Sequence, residues 1–418
     1  GGTEVLSGCD NTCSSTLVFD DFGLCGNGNS LQGAIDAAAA GSVLDVPAGI
    51  YTGPFTIDKS LTLNGAGEDD VFIQNATLSA DVVKICYSSG DVCDVTIQNV
   101  TIRNGRYGIY SKSTGSVNIL NNTFYHNGYD GEALPDPDSA TAQADHAALW
   151  ASAHTSSGGA MRIRNSNGSE IAGNTVRDNL RGIRFQDSHD GSIHDNEAYD
   201  NFEAGIYLAA GSYTGATGCS NTNVFDNEVY GNRNNGLLSI GGIGNTFTNN
   251  NVHDNWNSGV MMWHVADNTF SGNIITGNNI HSFNGIGNGG DAYSAVTSKG
   301  ADVDASASFN FILTGNTISN NGNGNQATAI GVQVDNGLLS STITGNTFSG
   351  QDTDVSYGDS TTASGNTCSA GCDCNSGSVA DCAGDCDGSS VVDECGTCDA
   401  DASNDCVQDC ALVWGGSA

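Results

Sequence analysis

Only 12 of the 418 residues are Lys or Arg, against 47 Asp and Glu, so any place where the cations gather carries information. Short alternating segments recur along the chain and share a Gly–Ile step. Aligned on that step, Tyr110, Arg162, Arg184, Tyr207, Leu238 and Met261 form one outward column. The neighbouring column reads Lys112, Arg164, Gln186, Ala209, Ile240 and Trp263. A second outward column, ahead of an Asn corner, reads Arg103, Tyr125, Arg177, Tyr199, Tyr230 and His253. Guanidinium groups pair with carboxylate or sulfate in a fixed fork, and aromatic rings pack against sugar faces. An anionic sugar chain suits this combination, with Lys112, Arg164, Arg177, Tyr199 and Trp263 as candidate binding residues.

Two reactions could follow. Uronate β-elimination needs a cation to neutralise the C6 carboxylate, a base for the C5 proton and an acid for the leaving oxygen. Arg162, Arg184, Tyr207 and His146 are the candidate catalytic set. Glycoside hydrolysis needs two carboxylates ~5–9 Å apart, and Asp178 and Asp200 occupy equivalent positions in successive segments. The plain structural reading is that the Arg residues neutralise Asp178, Asp187 and Asp200, and that the stacked acids are solvated surface.

The longest interruption, residues 128–158, holds Asp145, His146, Trp150 and His154 beside the Arg columns. Long loops on a rigid scaffold are where function concentrates. An Ala-rich helical cap over apolar surface is the competing reading.

Near the C-terminus the chemistry changes. Asp399, Asp401 and Asp405 place oxygen ligands at alternate positions, as Ca²⁺ sites require. Asp381-Cys-Ala-Gly-Asp-Cys386 returns as Asp405-Cys-Val-Gln-Asp-Cys410, and Cys395-Gly-Thr-Cys398 follows the first copy. Cys395 and Cys398 could ligate zinc, but in an oxidising compartment disulfides through Cys382, Cys386, Cys395 and Cys398 are the expectation. Cys86 and Cys93 flank a turn-like stretch and form a candidate local disulfide, and Cys9, Cys13 and Cys25 would staple the N-terminal cap.

The elements that must position these residues come from self-similarity. Asn174-Thr-Val-Arg-Asp-Asn179 recurs as Asn196-Glu-Ala-Tyr-Asp-Asn201, Asn227-Glu-Val-Tyr-Gly-Asn232 and Asn250-Asn-Val-His-Asp-Asn255, mostly at ~22–23-residue spacing. Further copies begin at Asn99, Asn122, Asn273, Asn316 and Asn346. One unit cannot bury its own apolar side, so units must stack. Three short strands per unit make one coil of a parallel β-helix, right-handed by the crossover rule. Ile109, Ile183, Ile206, Leu237 and Val260 then point inward. Asn104, Asn127, Asn179, Asn201, Asn232 and Asn255 are expected to stack as an amide ladder at one corner, where Asn tolerates left-handed backbone. The fold class is all-β, a right-handed parallel β-helix with an N-terminal cap (1–40), the solenoid (41–368) and a small Cys-rich extension (369–418).

Ser30-Leu-Gln-Gly-Ala-Ile-Asp-Ala-Ala-Ala-Ala40, Leu44-Asp-Val-Pro-Ala-Gly-Ile-Tyr-Thr52 and Ile57-Asp-Lys-Ser-Leu-Thr-Leu-Asn-Gly-Ala-Gly67 resemble the opening of pectin-lyase-like right-handed parallel β-helix proteins. The resemblance implies a short helix capping the first coil. That fold hosts lyases, hydrolases, epimerases, adhesins and phage spikes, so it leaves activity open, and no catalytic motif of those enzymes maps here residue by residue. The tail resembles Asp/Cys-rich tandem repeats of large extracellular marine microbial proteins. Its second copy stops early, which implies a chain continuing past Ala418.

Composition bounds the rest. A net charge of -35 argues against phosphate-mediated nucleic-acid binding. With 57 Gly but 4 Pro and no three-residue period, collagen is excluded. No apolar run approaches the ~18 residues of a membrane helix. Fifteen Cys fit a secreted or cell-surface protein whose leader has been removed. Two functions remain in view. One is a protein that binds acidic polysaccharide and possesses lyase, epimerase or hydrolase activity if it is an enzyme. The other is a non-catalytic structural or adhesive protein, a filament protomer that meets copies of itself or other surface proteins.

Overall fold

Segments of three to six residues alternate buried and half-buried side chains, as in Val117–Leu120, where Val117 and Ile119 are fully enclosed. The computed structural model describes residues 30–87, 92–112, 115–128, 158–210, 218–263, 265–278, 294–299, 310, 312–321, 330–334, 342–350, 353–356, 362–368, 389–392 and 397–400, with Cys9, Asn11, Leu17, Phe19, 21–23 and Cys25. Three sheets contain all but two of the strands among these residues. The first holds 12 strands, from Val43–Val46 to Thr362–Ser364. The second holds 11, from Gly49–Gly53 to Thr347–Ser349, and the third 11, from Phe55–Ile57 to Thr353–Ser356. Neighbours within a sheet are every third strand of the chain and all pair in parallel, so each coil lends one strand to each sheet. This is the expected parallel β-helix. The tail contributes one antiparallel pair, Val391–Val392 with Cys398–Asp399.

The predicted inward residues lie in register: Ile109 beside Met161, then Ile183, Ile206, Leu237 and Val260. Phe247 and Phe270 stack within the same core, ring centres 4.4 Å apart. The helix Leu31–Ala37, N-capped by the Ser30 hydroxyl accepting from the Gly33 amide, buries Leu31, Ala34 and Ile35 against the first coil. Cys9–Cys25 is a disulfide, as the N-terminal staple anticipated. No helix among the described residues is long and apolar enough to cross a membrane.

The amide ladder is double. One runs through Asn127, Asn179, Asn201, Asn232, Asn255, Asn278 and Asn321, each Oδ1 accepting from the backbone N–H of the preceding rung. The other runs from Asn122 through Asn174, Asn196, Asn227, Asn250, Asn273, Asn316 and Asn346 to Asn366. Two expectations need correction. Asn104 is not a rung, because Gly105 holds that place and donates to Asn127, as Val100 donates to Asn122 in the other ladder. Nor are the rungs left-handed. The residue before each rung takes positive φ, as at Asn104, Asp178, Asp200 and Asp254, and their short polar side chains suit that turn. The ladder also explains the Gly–Ile step. A Cβ on Gly205, Gly236 or Gly259 would lie 2.7 Å from the Nδ2 of a rung, Asn232, Asn255 or Asn278.

Candidate functional site: a tyrosine-braced cationic strip

The exterior of the third sheet carries the cationic column. Strand pairing sets Lys84 beside Tyr110, Tyr110 beside Arg162, then Arg184, Tyr207, Leu238 and Met261 in successive coils. Pairing also sets Arg164 beside Gln186 and Gln186 beside Ala209, and Ile240 beside Trp263. Sequence alignment placed these columns in the register that the coordinates have, but it missed Lys84. The Val83-Lys84-Ile85 alternation just before Cys86 was the available signal.

The strip has two halves of different character. Towards the C-terminus, Ala204, Tyr207, Ala209, Leu238, Ile240 and Met261 face outward yet are buried as a second apolar cluster. Towards the N-terminus lie the cations, of which Lys84, Lys112, Arg162 and Arg184 are each held against a tyrosine ring. The Arg162 guanidinium sits 5.2 Å from the Tyr110 ring centre and that of Arg184 5.1 Å from Tyr207. The Lys112 ammonium is 4.0 Å from Tyr87 and 5.5 Å from Tyr110, and Lys84 is 5.2 Å from Tyr87. Arg162 Nε donates to Gln186 Oε1 at 2.9 Å, and Gln186 Nε2 donates to Asp187 at 3.1 Å. Such contacts prevent the long side chains from wandering.

Arg177 pairs with Asp178 at 2.6 Å, Arg164 with Asp187 at 3.3 Å, and Arg233 approaches Asp200 at 3.8 Å. Among the described residues, by contrast, no carboxylate lies within ion-pair distance of Lys84, Lys112, Arg162 or Arg184. Arg184 Nε is buried with no hydrogen-bond partner. Beside Tyr107 and Tyr207, the largely buried Arg181–Glu203 pair is a further feature that sequence inspection missed. Burial opposes the charge on Arg181, and Glu203 more than offsets it, raising its pKa.

Arg177 and Tyr199 lie elsewhere, on the exterior of the second sheet. There Tyr199, Tyr230 and His253 stack face to face, with ring centres 4.9 and 5.0 Å apart and planes within 2°. Their faces meet one another and only edges remain outward, so this column is not continuous with the third-sheet strip. Asp178 and Asp200 are one coil apart, each facing an arginine. Burial raises the Asp200 pKa, and Arg233 works in the opposite direction.

Other candidates lie outside the described residues: His146, Asp401, Asp405, Cys382, Cys386 and Cys395. The same holds for the Trp263 and Asp399 side chains, although both residues sit on strands. Cys86–Cys93 is a disulfide, and Cys368 and Cys398 are also disulfide-bonded. The described residues contain no group of three metal-ligating side chains.

Coils of three parallel strands, an enclosed apolar column and asparagine ladders define a parallel β-helix protein. The family model for the right-handed β-helix region matches residues 85–242 and 215–373, and the chain belongs to that family. No curated protein sequence matches it. Among solved structures it is similar to the A-module of mannuronan C-5 epimerase AlgE6 from Azotobacter vinelandii, at 20% identity and TM-score 0.59, covering 87% of this chain and 99% of that one. The AlgE4 A-module of the same organism gives 20% identity and TM-score 0.58, over 86% and 100%. DFA-IIIase from Arthrobacter chlorophenolicus A6 in complex with GF2 gives 16% and TM-score 0.50, over 82% and 88%. At these identities the likeness concerns the fold.

Proposed function

We propose that the protein binds an acidic polysaccharide along the exterior of the third sheet, with uronate carboxylates meeting Arg162 and Arg184. One observation carries this reading. These two guanidinium groups are in register on adjacent coils and braced by tyrosines, and no described carboxylate pairs with them. Cations with no counter-charge among the described residues, on a chain of net charge -35, offer a place for an external anion. The coil pitch of about 4.8 Å is also close to the length of one pyranose residue, so successive coils can meet successive carboxylates. The fold shared with two mannuronan epimerase modules is one that accommodates such a polymer.

The arrangement also suits chemistry at C5 of a uronate. Neutralising the C6 carboxylate with Arg162 and Arg184 makes the C5 proton easier to remove, the first step of both elimination and epimerisation. Tyr207, which pairs with Arg184 across adjacent coils, would be the phenol that exchanges that proton.

Titration calorimetry of wild type and the Arg162→Ala/Arg184→Ala variant with polymannuronate, at several salt concentrations, tests the binding. Loss of two half-exposed charge pairs should weaken it about tenfold and flatten its salt dependence. Unchanged affinity in the variant, or equal wild-type affinity for a neutral glucan, refutes the proposal.

A further inference from the structure

The Cys86–Cys93 disulfide sits at the N-terminal end of the cationic strip, and the sequence reading gave it no functional role. Cys86 directly follows the strand Val83–Ile85, takes a positive φ of 41° and is fully buried, as is Cys93. The buried bridge therefore sets the direction in which the chain leaves the sheet, and the first residue to leave is Tyr87. Its ring meets Tyr110 edge-on, centres 5.2 Å apart at 87°. The same ring lies 4.0 Å from the Lys112 ammonium and 5.2 Å from that of Lys84. Lys84 and Lys112 belong to successive coils, so one side chain outside the sheet holds two cations from two coils.

We propose that the disulfide-anchored Tyr87 is a positioning residue that fixes Lys84 and Lys112 as a second acid-binding subsite, which makes recognition depend on glycan length. The inference rests on the reading of this sheet face as a glycan-binding strip. The arginine half is braced by Tyr110 and Tyr207, which belong to the strands themselves. The lysine half depends on a ring that lies outside the strands, that of Tyr87. From Lys84 to Arg184 the column rises three coil steps, about 14 Å. A disaccharide on Arg162 and Arg184 stops short of the lysines, whereas a hexasaccharide reaches both halves. Lysine side chains are flexible, so holding the two ammonium groups in place removes an ordering cost that the longer ligand would otherwise carry. Neither lysine has a described carboxylate within ion-pair distance.

Mannuronate oligomers of two and six residues, titrated into wild type, Tyr87→Leu, Tyr87→Phe and Cys86→Ser/Cys93→Ser, form the test. Tyr87→Leu and the double serine variant should bind the hexamer about two- to fivefold more weakly, the range expected for a cation–π contact. Their dimer affinity should equal that of wild type, and Tyr87→Phe, which keeps the ring, should restore hexamer binding. Equal losses for dimer and hexamer, or a Tyr87→Phe variant as weak as Tyr87→Leu, overturns the proposal. A second readout needs no ligand. The chain has four lysines, Lys59, Lys84, Lys112 and Lys299, so ε-methylene resonances can be assigned by substitution. Two of them should be shifted upfield by the Tyr87 ring and return to ordinary values in Tyr87→Leu. If that shift is present but wild type binds neither oligomer, the glycan reading fails and the bracing stands. If the shift is absent, the positioning role is wrong.

Discussion

Asn201 is a middle rung of the ladder and wholly buried. Its Oδ1 accepts from the backbone N–H and the Nδ2 of Asn179, both at 3.1 Å. Its Nδ2 donates to Val176 O at 2.9 Å and to Asn232 Oδ1 at 3.0 Å. Replacing it with Ala leaves the Asn179 N–H without its acceptor, while Asn179 Nδ2 keeps Phe124 O and Arg177 O. Asn232 Oδ1 also keeps the Asn201 backbone N–H. One buried donor is thus orphaned outright, one carbonyl loses a donor, and a small cavity remains. Together these should cost about 3–5 kcal/mol. Asn201→Asp preserves shape and the acceptor for Asn179, but it turns an oxygen towards Val176 O and Asn232 Oδ1. It should therefore cost at least as much. Asn366 is the terminal rung and only half-buried, so water can replace what it loses, and Asn366→Ala should cost about 1 kcal/mol. Guanidinium unfolding followed by circular dichroism gives the comparison. An Asn201→Asp variant within about 1 kcal/mol of wild type would show that shape, rather than amide polarity, holds the corner, and would refute this account.

Three further outcomes follow from the same geometry. Phe270→Ala, which breaks the buried stack with Phe247, should lower stability by about 3–5 kcal/mol in the same unfolding assay, and Phe270→Leu by less than about 1.5. Burial opposes a charge on His253, but hydrogen bonds to Asp254 at 2.8 Å and Glu228 at 2.7 Å outweigh it, so its pKa is raised. Its stabilising contribution is complete below the unfolded value of about 6.5 and is lost as pH rises through the higher folded value. The midpoint difference between wild type and His253→Gln should be widest in mild acid and shrink with alkalinity; a gap independent of pH contradicts this. The Cys219 thiol is pushed up to about 12 by burial and donates to Phe185 O at 3.1 Å. Mass spectrometry should find it unalkylated by iodoacetamide in the folded protein at mildly alkaline pH and alkylated after denaturation; rapid labelling of the native state would contradict its burial.

The repeat contained most of the fold. A unit that cannot bury its own apolar residues must stack, and a period of three short strands leaves a parallel solenoid as the way to do so. Because the repeats stack in parallel, aligning them also aligns side chains across coils, and repeat spacing alone puts Arg162, Arg184 and Tyr207 in one column. Local turn chemistry was harder to read. In the first coils the Asn residues at 99 and 104 precede the rung positions, and only the hydrogen bonds from Val100 and Gly105 reveal the one-residue offset.

What the sequence by itself determined was the solenoid, its inward columns and the shared sheet face of Arg162 and Arg184, because all three follow from periodicity. Only the tertiary structure decided which cations are engaged. Arg164 meets Asp187 of the adjacent coil and Arg177 the acid next to it in the chain, whereas Arg162 and Arg184 meet none among the described residues, and repeat spacing does not encode side-chain direction. It also separated the Tyr199 column onto the second sheet, and it brought Tyr87 over Lys84 and Lys112. The Tyr87 contact arises from a buried disulfide redirecting the chain outside the repeat, where periodicity says nothing.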